Sequence, residues 1–306
     1  MYHPDPAREA ARARMTQKVR MGQRIAIASF FVNVIVGVVE VAVGTLFGSL
    51  ALTADGVHSF VDAVVSLMVW FGIRVSQKRA DGKFHYGYYK FDAIFSLFAA
   101  MIMVASGIVI SYTGVESYLK PVVKHVSSPL PIVVVVVSIV TAAILAQAKE
   151  SNAKSSGLVS LRTDGYNSIK DASASVVAFF GIALSYFGYY GFDSLAALII
   201  GGFVMVAGYF AIRESSNVLA DAYGNPEMIE TITSIASSVP GVYSIDDLRV
   251  RRNGPFLVVE MHVKVDGNIS VFEADTITRE IVKKMRENIV SLGRITIKPE
   301  PVQRLH

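Results

Sequence analysis

Long apolar runs separated by short polar segments fill the first two thirds of the chain. A helix needs about 20 apolar residues to cross a bilayer. Six runs approach that length, at 25–47, 50–74, 92–117, 129–147, 168–188 and 194–213. Only Gly48 and Ser49 separate the first two runs, which predicts a tight helical hairpin. The pattern therefore predicts an integral membrane bundle of six transmembrane helices over residues 25–222.

The pattern changes after Asp221, where charged and apolar residues alternate. A helix is predicted over 226–238, with Asn225 as N-cap and Pro226 in the first turn. Two strands, 244–251 and 256–265, meet at the hairpin signal Asn253-Gly254. A second helix over 271–289 and a short strand over 294–298 complete the order αββαβ. This order predicts a separate C-terminal α+β domain over residues 223–306.

The distribution of basic residues predicts how the chain lies in the bilayer. Residues 1–24 are rich in arginine and lysine without an apolar core, which predicts a basic cytoplasmic segment rather than a cleaved signal. Basic residues are also frequent between the second and third spans and between the fourth and fifth, whereas the alternate loops have few. The positive-inside rule then places both termini in the cytoplasm of a multi-pass protein of the cell membrane.

Composition narrows the possible partners and ligands. The chain is 52% hydrophobic with a net charge of only +4, and its basic residues flank apolar runs. This distribution indicates the lipid bilayer as a partner and argues against a nucleic acid. Cysteine is absent, so disulfides and thiolate metal sites are excluded, and metal ligands must come from His, Asp, Glu, Asn or the backbone.

Two pairs of polar residues lie inside predicted spans. His58 and Asp62 are four residues apart in the second span, and Asn167 and Asp171 repeat that spacing in the fifth. A spacing of four places both members of a pair on one helix face. Because an ionisable group at membrane depth costs about 2.5–3.5 kcal/mol on insertion scales, such groups mark ion or proton pathways. The four residues predict a divalent cation site shared between two helices.

Other polar residues in the first two spans admit simpler interpretations. Asp55 extends the stripe of His58 and Asp62, and we expect it to act as a cap or to lie near the membrane surface. Asn33 and Glu40 lie two turns apart on one face of the first span. Two interpretations of Glu40 stay open at this point. It could line an outer vestibule for cations, or it could form hydrogen bonds within the bundle.

Four motifs together resemble the cation diffusion facilitator family of divalent-metal/proton antiporters. They are Asp55-Gly-Val-His-Ser-Phe-Val-Asp62, Thr163-Asp-Gly-Tyr-Asn-Ser-Ile-Lys-Asp171, His85-Tyr-Gly-Tyr-Tyr-Lys-Phe-Asp92 and Pro240-Gly-Val-Tyr-Ser-Ile-Asp-Asp-Leu-Arg249. The resemblance implies six spans and a cytoplasmic ferredoxin-like domain that forms a homodimer. It also implies the following roles: a transport site formed by His58, Asp62, Asn167 and Asp171, and a structural pair formed by Lys90 and Asp221.

Asn167 departs from the zinc-transporting members, which usually have histidine at this position. An amide oxygen is a neutral, hard ligand that favours Mn²⁺ or Fe²⁺ over Zn²⁺ relative to imidazole. Zinc stays a candidate because the Irving–Williams order still allows it to bind such a site tightly. The expected cargo is therefore Mn²⁺, Fe²⁺ or Zn²⁺, with protons as counter-ion and no resident cofactor.

Two further metal sites are weaker candidates. In the tail, Asp246, His262 and Glu300 match positions that bind zinc in some relatives, and Asp275 is a further candidate ligand. Lys298 replaces another ligand there, so a salt bridge is the alternative to a metal. The loop after the second span contains the candidate metal ligands Asp81 and His85, but it has Tyr88 at a position where many relatives have a second histidine. A solvated loop is expected at that position.

These features predict a proton-coupled exporter of divalent cations that works by alternating access and is not an enzyme. One alternative is a membrane-bound sensor that binds the ion without moving it. An intramembrane aspartyl protease would also place aspartates in spans. It predicts a Gly-x-Gly-Asp motif in one of the spans, and that motif is absent.

Overall fold

The computed structural model describes residues 6–76, 78, 81–120, 126, 128–156, 174–189, 191–253, 256–289 and 291–302. These residues form two compact units, 1–216 and 217–306. The helices of the first unit are α1 (Pro6–Phe47), α2 (Leu50–Ser76), α3 (Phe91–Leu119), α4 (Leu130–Ser156), α5 (Ala174–Tyr186) and α6 (Phe192–Leu219).

The helices agree with the spans that hydropathy predicts. In the described part of the chain, five helices are long and apolar enough to cross a membrane, and all but α5 belong to this group. Helix α5 is a shorter apolar helix. It coincides with the end of the fifth predicted span, whose polar beginning falls in residues 157–173, outside the described residues. Helix α1 continues without a break from the basic N-terminal segment into the first span, whose apolar part is Gln23–Phe47.

The predicted hairpin between α1 and α2 is confirmed. Gly48 adopts a left-handed backbone (φ 74°), a conformation that glycine reaches without steric cost. The following residue, Ser49, donates its hydroxyl to Asp193 Oδ1 at 2.7 Å, and the backbone N–H of Leu50 donates to the other oxygen of Asp193. The carboxyl group of Asp193, in the first turn of α6, thus satisfies a free donor at the start of α2. It fixes the beginning of the helix that carries His58.

Helices α3 and α6 approach closely through small residues. A Cβ placed on Gly107 of α3 would lie 2.9 Å from the carbonyl oxygen of Gly201 and 2.9 Å from the backbone nitrogen of Met205. Gly114 of α3 and Gly208 of α6 have similarly close backbone neighbours on the opposite helix. Small residues at helix interfaces allow backbones to pack tightly in membranes, where the hydrophobic effect does not drive helices together.

The inner and outer faces of the membrane helices differ in residue size more than in polarity. The buried cluster between them contains many small or branched residues, including Ala51, Ala178, Ala196 and Ile200. Large apolar side chains are exposed on the outside, for example Phe31 on α1, Val109 on α3, Ile144 on α4, Phe180 on α5 and Phe210 on α6. An apolar exterior around small interior residues suits a bundle that is solvated by lipid.

The second unit confirms the predicted αββαβ order. After the end of α6 it contains α7 (Pro226–Ser237), β1 (Ser244–Asn253), β2 (Phe256–Val265), α8 (Val271–Asn288) and β3 (Leu292–Pro301). The sheet order is β1-β2-β3; β1 and β2 are antiparallel, whereas β2 and β3 are parallel. A parallel pair needs a crossover connection, which α8 provides. The third strand is longer than predicted.

Local sequence signals place both tail helices. The side chain of Asn225 accepts a hydrogen bond from Met228 N at 3.1 Å and caps α7, which has Pro226 in its first turn. Ser270 and Glu273 form a reciprocal capping box at the start of α8. Buried residues of both helices pack against alternate residues of β2 in one hydrophobic core. This core includes Ile232 of α7, Ile281 and Met285 of α8, and Val259 and Met261 of β2. The other face of β2 carries His262 and Lys264.

Candidate transport site

His58 and Asp62 face one another on α2, as their spacing predicts. The distance between His58 Nε2 and Asp62 Oδ2 is 3.7 Å. The side chains are 7% and 21% exposed respectively, so the pair lies inside the bundle with Asp62 the more accessible member. An imidazole and a carboxylate at this separation can contribute a nitrogen and an oxygen ligand to one divalent cation.

A small cavity of about 40 Å³ lies next to this pair. It is lined by Asn33 and Val36 of α1, His58, Ser59 and Asp62 of α2, Ser138, Thr141 and Ala142 of α4, and Ser175 of α5. Polar side chains thus converge from four helices on a space inside an apolar bundle. Because polar groups at membrane depth are expensive, their convergence on one space indicates a functional site.

The other predicted pair, Asn167 and Asp171, lies outside the described residues, in segment 157–173. Within the ranges that the structure describes, no group of three or more His, Asp or Glu side chains could hold a metal ion. The complete four-ligand site therefore stays a prediction. Helix α5, which follows this segment in the chain, contributes Ser175 to the cavity wall.

The expectation that Asp55 caps a helix is wrong, because α2 begins at Leu50 and Asp55 lies inside it. Its position relative to the membrane surface stays a prediction. Asp55 is only 1% exposed, and its Oδ1 accepts a hydrogen bond from Ser175 Oγ at 3.2 Å. The helical spacing correctly places Asp55 on one stripe with His58. However, spacing within one helix gives no information about which neighbouring helix covers that stripe. Here α5 contributes the hydroxyl group that binds the carboxyl group.

Glu40 is a hydrogen-bonding residue of the bundle, the second of its two interpretations. It is 1% exposed. Its Oε2 accepts from Ser59 Oγ at 2.7 Å, and its Oε1 accepts from Ser138 Oγ. One side chain of α1 therefore connects α2 and α4 beside the cavity. Asn33, predicted on the same face, lines the cavity itself.

In the tail, the residues of the candidate second metal site lie close together, but the carboxylates among them form ion pairs with lysines. His262 Nδ1 is 3.2 Å from Glu300 Oε1, and Asp246 pairs with His262 in the β-sheet register. Lys298 Nζ and Lys264 Nζ lie 2.8 Å and 2.9 Å from the Glu300 carboxylate.

These hydrogen bonds to Lys298 and Lys264 lower the pKa of Glu300 to about 2. Lys264 also lies 3.9 Å from Asp246. The additional candidate ligand, Asp275, forms an ion pair with Arg279 at 2.6 Å. Two ammonium groups already provide the positive charge that a metal would bring, so the geometry supports the salt-bridge alternative.

The polar loop before α3 agrees with the expectation of a solvated turn. The Asp81 carboxylate accepts hydrogen bonds from the Tyr88 hydroxyl at 2.6 Å and from the backbone of Lys83 and Phe84. These bonds, led by the one from Tyr88, lower the pKa of Asp81. The carboxylate thus stabilises the turn, and His85 is exposed.

The predicted pair of Lys90 and Asp221 stays a prediction. Lys90 is the N-cap residue of α3 in the first unit. Asp221 lies in the second unit, where its Oδ2 is 3.4 Å from Arg251 Nη1 and its backbone is left-handed (φ 61°). Asp221 therefore already takes part in one ion pair within the tail.

Sequence reasoning missed the hydroxyl residues of the cavity and the buried carboxyl group of Asp193. Ser138 and Thr141 are three residues apart in a valine-rich run of α4, and this spacing was a usable signal for a polar face. Ser59 and Ser175 had no comparable signal, because isolated serines are common in membrane helices.

A bundle of apolar helices with an ionisable pair beside an internal polar cavity defines a class of membrane protein built to bind or move ions. Comparison with known proteins gives the family. Residues 26–220 match the cation efflux transmembrane domain, and residues 225–302 match the cytoplasmic domain of cation efflux proteins. The chain belongs to the cation diffusion facilitator family. It is a multi-pass membrane protein with a cytoplasmic C-terminal domain, and its family exports divalent metal cations.

Three relatives illustrate the similarity. Magnetosome protein MamB of Magnetospira sp. is 26% identical over 90% of this chain and 94% of its own length. Manganese efflux system protein MneS of Bacillus subtilis is 26% identical over 88% of this chain and 92% of its own length. Cation-efflux pump FieF of Cronobacter sakazakii is 26% identical over 86% and 87% respectively.

Proposed function

We propose that this protein is a proton-coupled exporter that moves Mn²⁺, Fe²⁺ or Zn²⁺ out of the cytoplasm. The main support is the His58–Asp62 pair beside a polar cavity in the interior of the bundle. Asn167 and Asp171, at the same spacing in the sequence, are the proposed remaining ligands. A relative that is named a manganese efflux protein supports this cargo class.

The exchange of protons for a metal ion at the ligands explains how the two fluxes are coupled. His58, Asp62 and Asp171 can each bind a proton, whereas the amide of Asn167 cannot. In a low-dielectric site the empty carboxylates favour proton uptake, and an arriving dication displaces these protons. Protonation from the other side of the membrane then releases the metal. Alternating access around this midplane site would couple the two fluxes.

The proposal extends to the arrangement of the protein in the cell. We place it in the cell membrane with its N-terminus also in the cytoplasm, as the distribution of basic residues predicts. The cytoplasmic domain is the proposed homodimer interface, in keeping with its match to the cytoplasmic domain of cation efflux proteins. No catalytic role as an enzyme is proposed.

Reconstitution into liposomes tests the proposed function. Vesicles with an imposed pH gradient should show flux of at least one of Mn²⁺, Fe²⁺, Zn²⁺ and Co²⁺ above the rate of protein-free vesicles. Collapse of the gradient with a protonophore should slow that flux. Tight metal binding without any flux would contradict transport and would indicate the alternative, a membrane-bound sensor.

Replacement of Asn167 by histidine should change which metal is preferred. An imidazole nitrogen in place of an amide oxygen suits Zn²⁺ better than Mn²⁺. We expect Asn167→His to raise the ratio of Zn²⁺ to Mn²⁺ transport in the same vesicles. The conservative variant Asn167→Gln keeps an amide oxygen and serves as control. If Asn167→His leaves the ion ranking unchanged, Asn167 does not determine selectivity.

A further inference from the structure

Among the described residues, four that line the cavity beside His58 and Asp62 carry hydroxyl groups, and each of these groups donates a hydrogen bond to a carboxyl or backbone oxygen. They belong to Ser59, Ser138, Thr141 and Ser175. A hydroxyl group has one hydrogen to donate and two lone pairs with which to accept. Where that hydrogen is already donated elsewhere, the oxygen can only act as an acceptor toward the cavity.

Glu40 takes the hydrogens of two of these groups. Ser59 on α2 donates to Glu40 Oε2 at 2.7 Å, and Ser138 on α4 donates to Glu40 Oε1. Glu40 is 1% exposed and is not among the residues that line the cavity, whereas both serines are. The carboxyl group therefore lies outside the cavity lining and binds the hydroxyl hydrogens of two residues that belong to the lining, which leaves their oxygens as acceptors.

The other two hydroxyl groups follow the same pattern. Ser175 on α5 donates to Asp55 Oδ1 at 3.2 Å, and Asp55 is itself 1% exposed. Thr141 on α4 donates to the backbone oxygen of Val137 at 2.8 Å. Residues with acceptor oxygens thus line one space from three different helices, together with Asp62. Such a lining suits a cation, or water molecules that direct their hydrogens outward.

The size of the cavity allows a cation and water molecules together. A water molecule needs roughly 10–15 Å³ of cavity measured for a water-sized probe. The cavity of about 40 Å³ therefore has room for more than a bare ion. Water bound to a dication is a strong hydrogen-bond donor, because the ion polarises it. Hydroxyl oxygens whose own hydrogens are committed elsewhere are matched acceptors for such water.

We propose that the cavity binds a hard divalent cation that keeps part of its water shell, with Ser59, Ser138 and Ser175 accepting hydrogen bonds from the metal-bound water. Glu40 is a positioning residue that fixes the hydroxyl groups of Ser59 and Ser138 in the accepting orientation. This inference rests on the proposed transport function and specifies its substrate class. Oxygen ligands and retained water suit Mn²⁺ better than Zn²⁺.

The variant Glu40→Gln tests this role with almost no change in shape. The glutamine amide must donate, so one serine has to accept from it and turn its own hydrogen into the cavity. We expect the KM for Mn²⁺ in proteoliposomes to rise roughly 10–100-fold, as for other residues that orient metal-binding groups. The maximal rate should change less. Ser106→Ala on α3, whose hydroxyl donates to Met103 O, is the matched control and should keep the wild-type KM.

A double-variant experiment separates positioning from a general structural role. Ser138→Ala alone removes one acceptor and should also raise the KM. In a Ser59→Ala/Ser138→Ala background, Glu40→Gln should cause no further rise, because the serines through which Glu40 acts are gone. An unchanged KM for Glu40→Gln, or an equal rise without the serines, would overturn the proposal. Absence of flux in the wild-type protein would instead refute the transport function, so the two failures are distinguishable.

Discussion

Replacement of Asp62 by alanine should reduce metal flux in proteoliposomes to the rate of protein-free vesicles. Asp62 is the more accessible member of the pair with His58, at 21% against 7% exposure, and it lies beside the polar cavity. In the proposed mechanism, its removal takes away a charged oxygen ligand and one of the groups that exchange a proton for the metal. Both metal binding and coupling should therefore be lost together.

The reason for the loss can be identified from matched variants. Asp62→Asn keeps an oxygen ligand but cannot take up a proton, so it should retain weak Mn²⁺ binding while proton-coupled flux disappears. Asp266→Ala, in the tail and remote in sequence from the spans, should transport at the wild-type rate. Gel filtration of each variant in detergent checks that the protein is folded. Wild-type flux from folded Asp62→Ala would remove this residue from the transport site.

Addition of a single methyl group at Gly201 should destabilise the membrane domain by about 1–3 kcal/mol, the usual range for overpacking. A Cβ at Gly201 of α6 would lie 2.7 Å from the backbone nitrogen of Ser111 and 2.9 Å from the carbonyl oxygen of Gly107, both on α3. Backbone atoms cannot rotate away as a side chain can. Helices α3 and α6 would have to separate, which should lower the midpoint temperature of unfolding in detergent.

The neighbouring glycine provides the control for this prediction. Gly202 is on the same helix, yet a Cβ there would meet no atom of the other described elements within 4 Å. Alanine is about 1 kcal/mol better than glycine in a helix interior, so Gly202→Ala should leave the midpoint temperature unchanged or raise it. Equal midpoints for Gly201→Ala and Gly202→Ala would show that the close approach of α3 and α6 does not contribute to stability.

The elements of the fold were predictable because each is specified by local sequence. Apolar runs of sufficient length gave the membrane helices, and Gly48-Ser49 gave the hairpin between the first two. In the tail, both helices were predicted within a residue or two of their observed ends, the first of them from its cap Asn225. The parallel pairing of β2 with β3 follows from α8, which connects them.

The environment of each candidate ligand was less predictable, because it depends on neighbouring helices and strands. Asp55 was expected to be a cap or to lie near the membrane surface, and only the packing of α5 against α2 shows that Ser175 donates a hydrogen bond to it. The choice between the two interpretations of Glu40 required its hydrogen-bond partners on α2 and α4, which the sequence does not reveal. In the tail, Lys298 was visible as an unfavourable neighbour for a metal. The contact of a second lysine, Lys264, with Glu300 could be known only from the register between β2 and β3.

By itself the sequence determined the membrane helices, the cytoplasmic α+β domain and the spacing of four between His58 and Asp62. These properties depend on the length of each helix or strand and on the spacing of apolar and polar residues along it, and both can be read from the order of residues. Only the tertiary structure decided that serines from three helices line one cavity and that buried carboxyl groups accept hydrogen bonds from them. Such contacts join residues as far apart as Glu40 and Ser138, and they arise only when separate helices pack together.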